Sequence, residues 1–225
     1  MSVDTTPLSS TPRTTLRRHR ERGMTDRDSL YAVLDAGLVC HLGVVSGGVP
    51  VVLPTAYGRV GDTLYLHGSS ANRTILAADG QPVCVAVTHL DGLVCARAAF
   101  SHSVNYRSAV VFGVATLVRD DAERLTALRA VTQQLIPGRW EALRKPTRKE
   151  LAATVVLALP LAEASVKIRT GPPADDADDL GAGVWAGVVP IAMTFGEPEP
   201  DAALRPGTPV PDHITGLGNG HRRGA

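Results

Sequence analysis

The chain has 225 residues, a formal net charge of +1 and 44% hydrophobic content. That is enough apolar material for a core, while balanced charge and an aromatic share of 4% exclude a nucleic-acid surface built on basic patches and base stacking. No apolar run approaches the roughly 20 residues of a membrane span, the N-terminal stretch lacks the apolar core of a secretory signal, and Cys40, Cys84 and Cys95 sit in apolar runs without zinc-ligand spacing. A soluble, cytoplasmic protein is expected, with no nucleic-acid and no membrane partner.

Residues 1–16 are rich in Ser, Thr and Pro without periodicity, the composition of a flexible arm. The basic lead-in Arg17 to Arg22 precedes a helix capped by Thr25 or Asp26, with Leu30, Val33 and Leu34 as its apolar stripe and Gly37 as its stop. Leu38 to Val45 reads as a strand, and Ser46-Gly47-Gly48 as the turn into Val49 to Arg73, the stretch around which the chain is organised. There two strands meet at a Gly61-Asp62 turn, and the second runs into His67-Gly68-Ser69-Ser70 and Asn72-Arg73, ahead of a short helix at Thr74 to Ala78. Such a glycine-serine loop is either an ordinary N-cap or, with the Arg73 guanidinium, an anion cradle.

Pro82 to Thr88 forms the next strand, His89 to Gly92 a turn, and Leu93 to Ala98 the returning strand. Ala109 to Val118 is a long strand, and Asp121 opens an amphipathic helix with Leu125, Leu128, Val131 and Leu135 at helical spacing. Pro137-Gly138 breaks it, and Arg139 to Lys149 is a basic helical or irregular segment. The apolar run within Leu151 to Thr170 reads as one strand bent at Pro160, followed by an acidic loop, Gly171 to Asp179, and a short apolar segment around Trp185. Residues 196–225 turn to Pro, Gly and charge, the composition of a disordered tail. Strands joined by short turns, with a few outlying helices, predict an α+β fold that is mainly antiparallel β, a closed or partly closed barrel.

There is no Gly-x-Gly-x-x-Gly, Walker loop, nucleophile elbow or His-Glu-x-x-His. His41, His67, His89 and His102 fall in four segments with no carboxylate at ligand spacing, so no metal site is expected. His41 reads as a core histidine, whereas His67 stands at a strand end beside the glycine-serine loop. Tyr106, Arg107 and Ser108 belong to an unusually polar stretch, Phe100 to Ser108, whose donors a core would not tolerate unfilled. Lys167 and Arg169 alternate on one strand face, either as a solvated end or as a pair aimed at a phosphate or an electron-rich ring. Trp185 is either core filling or a lid over something flat.

Arg18-His19 with Arg22-Gly23, Cys40-His41-Leu42-Gly43, Pro50 to Pro54, Leu64 to Ser69, Asn105 to Ser108 with Phe112-Gly113, Lys167-Ile168-Arg169 and Trp185 to Val188 follow one another in a single pattern. In their order and spacing they resemble the pyridoxamine-5′-phosphate-oxidase-like flavin-binding split-barrel family, in the flavin-nucleotide-binding branch that includes nitroimidazole-resistance reductases. The resemblance covers residues 17–195 and implies a split β-barrel with peripheral helices, a homodimer with one FMN in each interface cleft. It implies flavin phosphate near His67, Gly68, Ser69 and Arg73, ring contacts from Pro54 and Thr55, and further contacts from Tyr106, Arg107, Ser108, Lys167, Arg169 and Trp185. His67 and Tyr106 would deliver protons in an FMN-dependent oxidoreductase acting on a small molecule such as a nitro compound or a quinone. The wider fold also has haem-binding and deazaflavin-binding members, so a second expectation is a non-catalytic flavin- or haem-binding protein for cofactor carriage or sensing, with His67 as axial ligand.

Overall fold

The structure, a computed structural model, describes residues 7–220, with side chains described through 217. In chain order it contains β1 (Gly23–Met24), α1 (Arg27–Ala36), β2 (Val39–Ser46), β3 (Val49–Val60), β4 (Thr63–Ser69), α2 (Arg73–Ala77), β5 (Pro82–Cys95), β6 (Ser103–Val114), β7 (Thr116–Leu117), α3 (Asp121–Leu135), α4 (Arg148–Ala152), β8 (Thr154–Pro160), β9 (Glu163–Arg169), β10 (Gly187–Pro190) and α5 (Asp212–Gly220). Local chemistry sets several boundaries. The Asp26 carboxylate accepts from Ser29 N at 2.7 Å and caps α1, which buries Leu30, Val33 and Leu34 as its spacing predicts. Gly47 and Gly48, at φ 60° and 80°, make the tight turn between β2 and β3.

All strand pairings are antiparallel, in the order β1-β9-β6-β5-β2-β3-β4-β8-β7, with β10 added to the distal half of β5. Only Ala115 separates β6 from β7, and β7 pairs with β8, so the path of strands curls back on itself and closes the barrel. The interior is filled by alternate residues: Cys40, Leu42 and Val44 of β2, Leu64 and Leu66 of β4, Val83, Val85 and Val87 of β5, Leu157 and Leu159 of β8. Burial pushes the Cys40 thiol up to about 12, so this cysteine is an unreactive hydrophobe. The architecture is the expected α+β split barrel with peripheral helices.

The strand β4 works on both faces. Leu64 and Leu66 enter the barrel core, while Tyr65 points outward against Ala127 of α3 and Val156 of β8. The helix α3 covers this outer side of β4 and β8, and its register departs from the expected stripe. Ala127 and Val131 are buried, whereas Leu125, Leu128 and Leu135 are half-buried, because the helix sits flush on β3 along its small residues. At Gly58 an added Cβ would lie 2.4 Å from Val131 N and 2.5 Å from the Ala130 carbonyl carbon.

Several expectations are corrected. Leu151 to Thr170 holds two strands, since β8 pairs with β4 and β9 with β6, and Leu161 N donates to Asp62 O at 2.8 Å where the chain changes sheet. His89 to Gly92 does not reverse the chain: β5 continues with a bulge between Leu90 and Gly92, because β6 runs alongside both halves. The polar stretch from Asn105 to Ser108 is part of β6. The arm is not free over its described part, because Leu8 packs on the core and Thr11 and Arg13 hydrogen-bond to Glu163. The tail contains α5, whose His213 packs on Gly138; its last residues, 221–225, lie outside the described residues. Among the described residues no helix is long and apolar enough to cross a membrane.

Candidate functional site

One residue past Leu66, His67 leaves the barrel wall on the α3 side. It lines a cavity of about 400 Å³ between that wall and the segment following α3. The walls are Leu128 and Val131 from α3, Trp140 and Leu143 from the connecting segment, and Pro146 and Leu151 around α4. Arg124 fastens the far side by donating to Thr154 O at 2.7 Å and to Leu151 O. The His67 Nδ1 is buried with no hydrogen-bond partner. A buried polar atom left unpaired is costly, which makes His67 Nδ1 the candidate ligand atom of this cavity. Burial also pushes the His67 imidazole below its ordinary value of 6.5. The ring is therefore neutral at pH 7, the form that ligates a metal.

That shift has a measurable sign. The unfolded chain takes up a proton at His67 more readily than the folded chain, so the contribution to stability is complete above the ordinary value and lost as the pH falls through it. In the cofactor-free chain His67→Leu should flatten the decline of Tm between about pH 7 and pH 5; thermal melts that keep the full slope would contradict the assignment.

The other expected site residues separate into two groups. Around α2 the N-cap reading is the one realised: Asn72 Oδ1 accepts from Thr74 N at 3.1 Å and Ile75 N at 3.2 Å, and Ser69 Oγ accepts from Ala71 N at 3.2 Å. Amides expected to face a phosphate are thus taken by caps. Arg73 is exposed and has no partner among the described residues. Gly68 faces Ile75, whose side chain an added Cβ would approach to 3.1 Å, and His67 points to the opposite side of β4. The structure thus sets His67 and Gly68 on opposite sides of β4, for the plain reason that neighbours on a strand face opposite ways.

The second group lies on the outward face of the sheet. Pro54 pairs with His41, His41 with Ala86, Ala86 with Val110 and Val110 with Ser165, which defines one row across β3, β2, β5, β6 and β9. Tyr106, Ser108, Lys167 and Arg169 share that face near its β9 edge, through the pairs Tyr106–Arg169 and Ser108–Lys167. Four inter-strand steps put Pro54 roughly 19 Å along the sheet from β9, so one chain does not bring Pro54 to the Tyr106 and Lys167 end of that face. Thr55, one residue on from Pro54, pairs with the buried Cys40. Two expected contacts are already engaged: Arg107 holds Asp91 in a bidentate pair at 3.0 and 2.9 Å, and Arg169 is spent on Asn105 and on Pro172 O at 3.2 Å. Lys167 has no hydrogen-bond or ion-pair partner for its side chain among the described residues. Trp185 is 67% exposed, just before β10 and against Gly187, and does not close over the lysine.

Sequence reasoning missed Trp140, Leu143, Arg144 and Glu150. The available signal was a tryptophan, a leucine and a proline inside a segment otherwise basic and polar, a mixture that a solvated helix does not need. No group of three or more His, Cys, Asp or Glu side chains suited to a metal ion occurs among the described residues.

A closed antiparallel barrel with one helix-covered pocket and one bare, partly cationic sheet face defines a cofactor scaffold of the flavin-binding split-barrel class. Residues 26–168 match the family model for pyridoxamine 5′-phosphate oxidase. The chain belongs to that family, a flavin-binding one. It is similar to the flavocytochrome Anf3 from Azotobacter vinelandii, with 43% identity, a TM-score of 0.88, and coverage of 94% of this chain and 99% of that one. It is also similar to the FAD and haem binding protein from Mycobacterium smegmatis, with 42% identity, a TM-score of 0.84, and coverage of 88% and 97%. A candidate 5-nitroimidazole antibiotic resistance protein from Bacteroides thetaiotaomicron shares the fold at 20% identity and a TM-score of 0.56, with 65% and 86% covered. No curated protein matches significantly.

Proposed function

We propose that this chain is a redox protein that binds both a flavin nucleotide and haem, the haem in the His67 pocket. The observation that carries the proposal is the buried, unpartnered His67 Nδ1 facing an apolar-walled cavity. The donor set fits the group: a neutral imidazole would ligate the iron, and Leu128, Val131, Trp140 and Leu143 would wall an apolar slot for a flat macrocycle. Similarity above 40% identity to a flavocytochrome and to a FAD and haem binding protein supports the same reading. Bound haem supplies one-electron chemistry, and flavin exchanges two-electron for one-electron steps. What the chain contributes is position, exclusion of water and a ligand held neutral. The name of the Mycobacterium smegmatis relative supports reading the flavin as FAD, with FMN, the form expected from sequence, as the alternative.

The flavin reading assigns Arg73 as the phosphate anchor, because caps occupy the neighbouring amides, and Tyr106, Ser108 and Lys167 as contacts from the second group. Pro54 lies roughly 19 Å along the sheet from β9 in one chain, so each cleft draws its contacts from two copies. The outward face suits such a homodimer, since Val45 is 61% and Val52 66% exposed there. Tyr106 then serves as the proton donor beside the flavin, while His67 serves the haem. Arg73→Ala should weaken flavin binding about tenfold or more, read by fluorescence titration of the flavin-free chain, while the haem spectrum stays unchanged. Unaltered flavin affinity would remove Arg73 from the site.

The decisive test is the visible spectrum of the purified full chain, with mass analysis of what heat or acid releases. A Soret band with flavin bands, and haem and FAD in the extract, is the expected result. A chain carrying flavin alone, or one that stays colourless with added haemin, would refute the haem assignment.

A further inference from the structure

The mouth of the His67 pocket is charged in a way that haem coordination alone does not require. Arg144 and Glu150 both line the cavity and face each other there, Arg144 Nη1 donating to Glu150 Oε2 at 2.8 Å. Glu150 does not depend on this pair: it closes a capping box at the start of α4, accepting from Thr147 N at 2.7 Å and Thr147 Oγ1 at 3.0 Å. Arg144 has no such second commitment to a side chain, and its own side chain is 69% exposed. A pair this exposed contributes little to stability, so Arg144 is released at small cost. Lys145, Arg148 and Lys149 flank it on the same segment without hydrogen-bond or ion-pair partners for their side chains among the described residues. The pocket's lining thus carries one guanidinium, with three more cations close to it in sequence, and a single carboxylate already satisfied from behind.

We infer that Arg144 is the anchor for the peripheral carboxylates of the pocket's ligand, and that loading exchanges the Glu150 carboxylate for a haem propionate. The assignment rests on the haem reading of His67. A guanidinium presents a fork to a carboxylate, which fixes the orientation of the ring edge as well as adding attraction. The neighbouring cations raise the local concentration of a dianionic ligand but lack that fork.

The test compares haemin with its dimethyl ester, which keeps the ring and iron but has no free carboxylate. Both are titrated into the haem-free full chain, and affinity and Soret position are recorded. The wild-type chain should bind haemin about tenfold or more tightly than the diester. Arg144→Gln should erase most of that preference without moving the Soret band, because His67 is untouched. Glu150→Gln, which preserves the capping box, should tighten haemin binding by removing the competing carboxylate. Equal binding of haemin and diester by the wild-type chain, or an Arg144→Gln chain that keeps the full preference, would overturn the assignment. Absence of any Soret change with either compound would instead overturn the haem reading itself, and the anchor with it.

Discussion

Replacing His67 by Ala should remove the haem spectrum while leaving the flavin in place. The side chain has no hydrogen bond at Nδ1 to lose, so the variant should fold, and its missing atoms only enlarge a cavity that already exists. Loss of an axial ligand should exceed the 10- to 100-fold effect typical of outer-shell changes at metal sites, so the expected fall in haem affinity is more than about 100-fold. Flavin content per chain should not change, because none of Arg73, Tyr106, Ser108 and Lys167 lines the His67 pocket. Together with Arg73→Ala the result is a double dissociation: one variant keeps flavin and loses haem, the other does the reverse. A His67→Ala protein with an unaltered Soret band would place the iron ligand elsewhere.

The second large effect is expected at Gly58. Its added methyl would meet the backbone of Ala130 and Val131 at 2.4 to 2.8 Å, and backbone cannot swing aside as a side chain can. The helix α3 must move off β3. That shift also strains Gln134, whose Nε2 donates to Leu34 O at 3.1 Å, Asp35 O at 3.0 Å and Gly37 O at 2.6 Å and so fastens α3 to the end of α1. Gly58→Ala should therefore destabilise the fold by about 1–3 kcal/mol, lowering Tm by about 2–4 °C for each kcal/mol at this chain length. Because α3 carries Leu128 and Val131 of the pocket wall, haem affinity should fall in parallel. A melt and a haemin titration both indistinguishable from wild type would show that α3 has slack to spare.

Local chemistry made much of the fold readable in advance. The Asp26 cap, the Gly47-Gly48 and Gly61-Asp62 turns and the alternation in β4 all act within a few residues, and each appears where the sequence places it. The division of Leu151 to Thr170 was hidden because β8 and β9 have similar apolar patterns, and what separates them is the identity of distant partners, β4 for one and β6 for the other. The site was less legible still. His67 was conspicuous, but the glycine-serine loop beside it suggested phosphate, and nothing local says that it faces Trp140 and Leu143. Those contacts span more than seventy residues and depend on how α3 sits over β4, which the small residues Gly58 and Ala127 decide by allowing close approach. The stripe Leu125, Leu128, Val131 and Leu135 misled for the same reason, because Ala127 takes the close contact with the sheet and Leu128 divides its surface between the Tyr65 cluster and the pocket wall.

The two-faced strand β4 also limits which insertions and deletions a lineage of such barrels can accept. Its seven residues from Thr63 to Ser69 alternate between the core and the α3 side. A single residue gained or lost between the Gly61-Asp62 turn and His67 would invert that alternation for everything downstream. The imidazole would then enter the hydrocarbon interior among Leu64, Leu157 and Leu159, and a leucine would face the pocket. Changes of two residues would restore the parity but move the imidazole past Trp140. In descendants of this chain, length variation should thus collect in the loops on either side of β4, and the count from the turn to the histidine should persist even where the residues between them change.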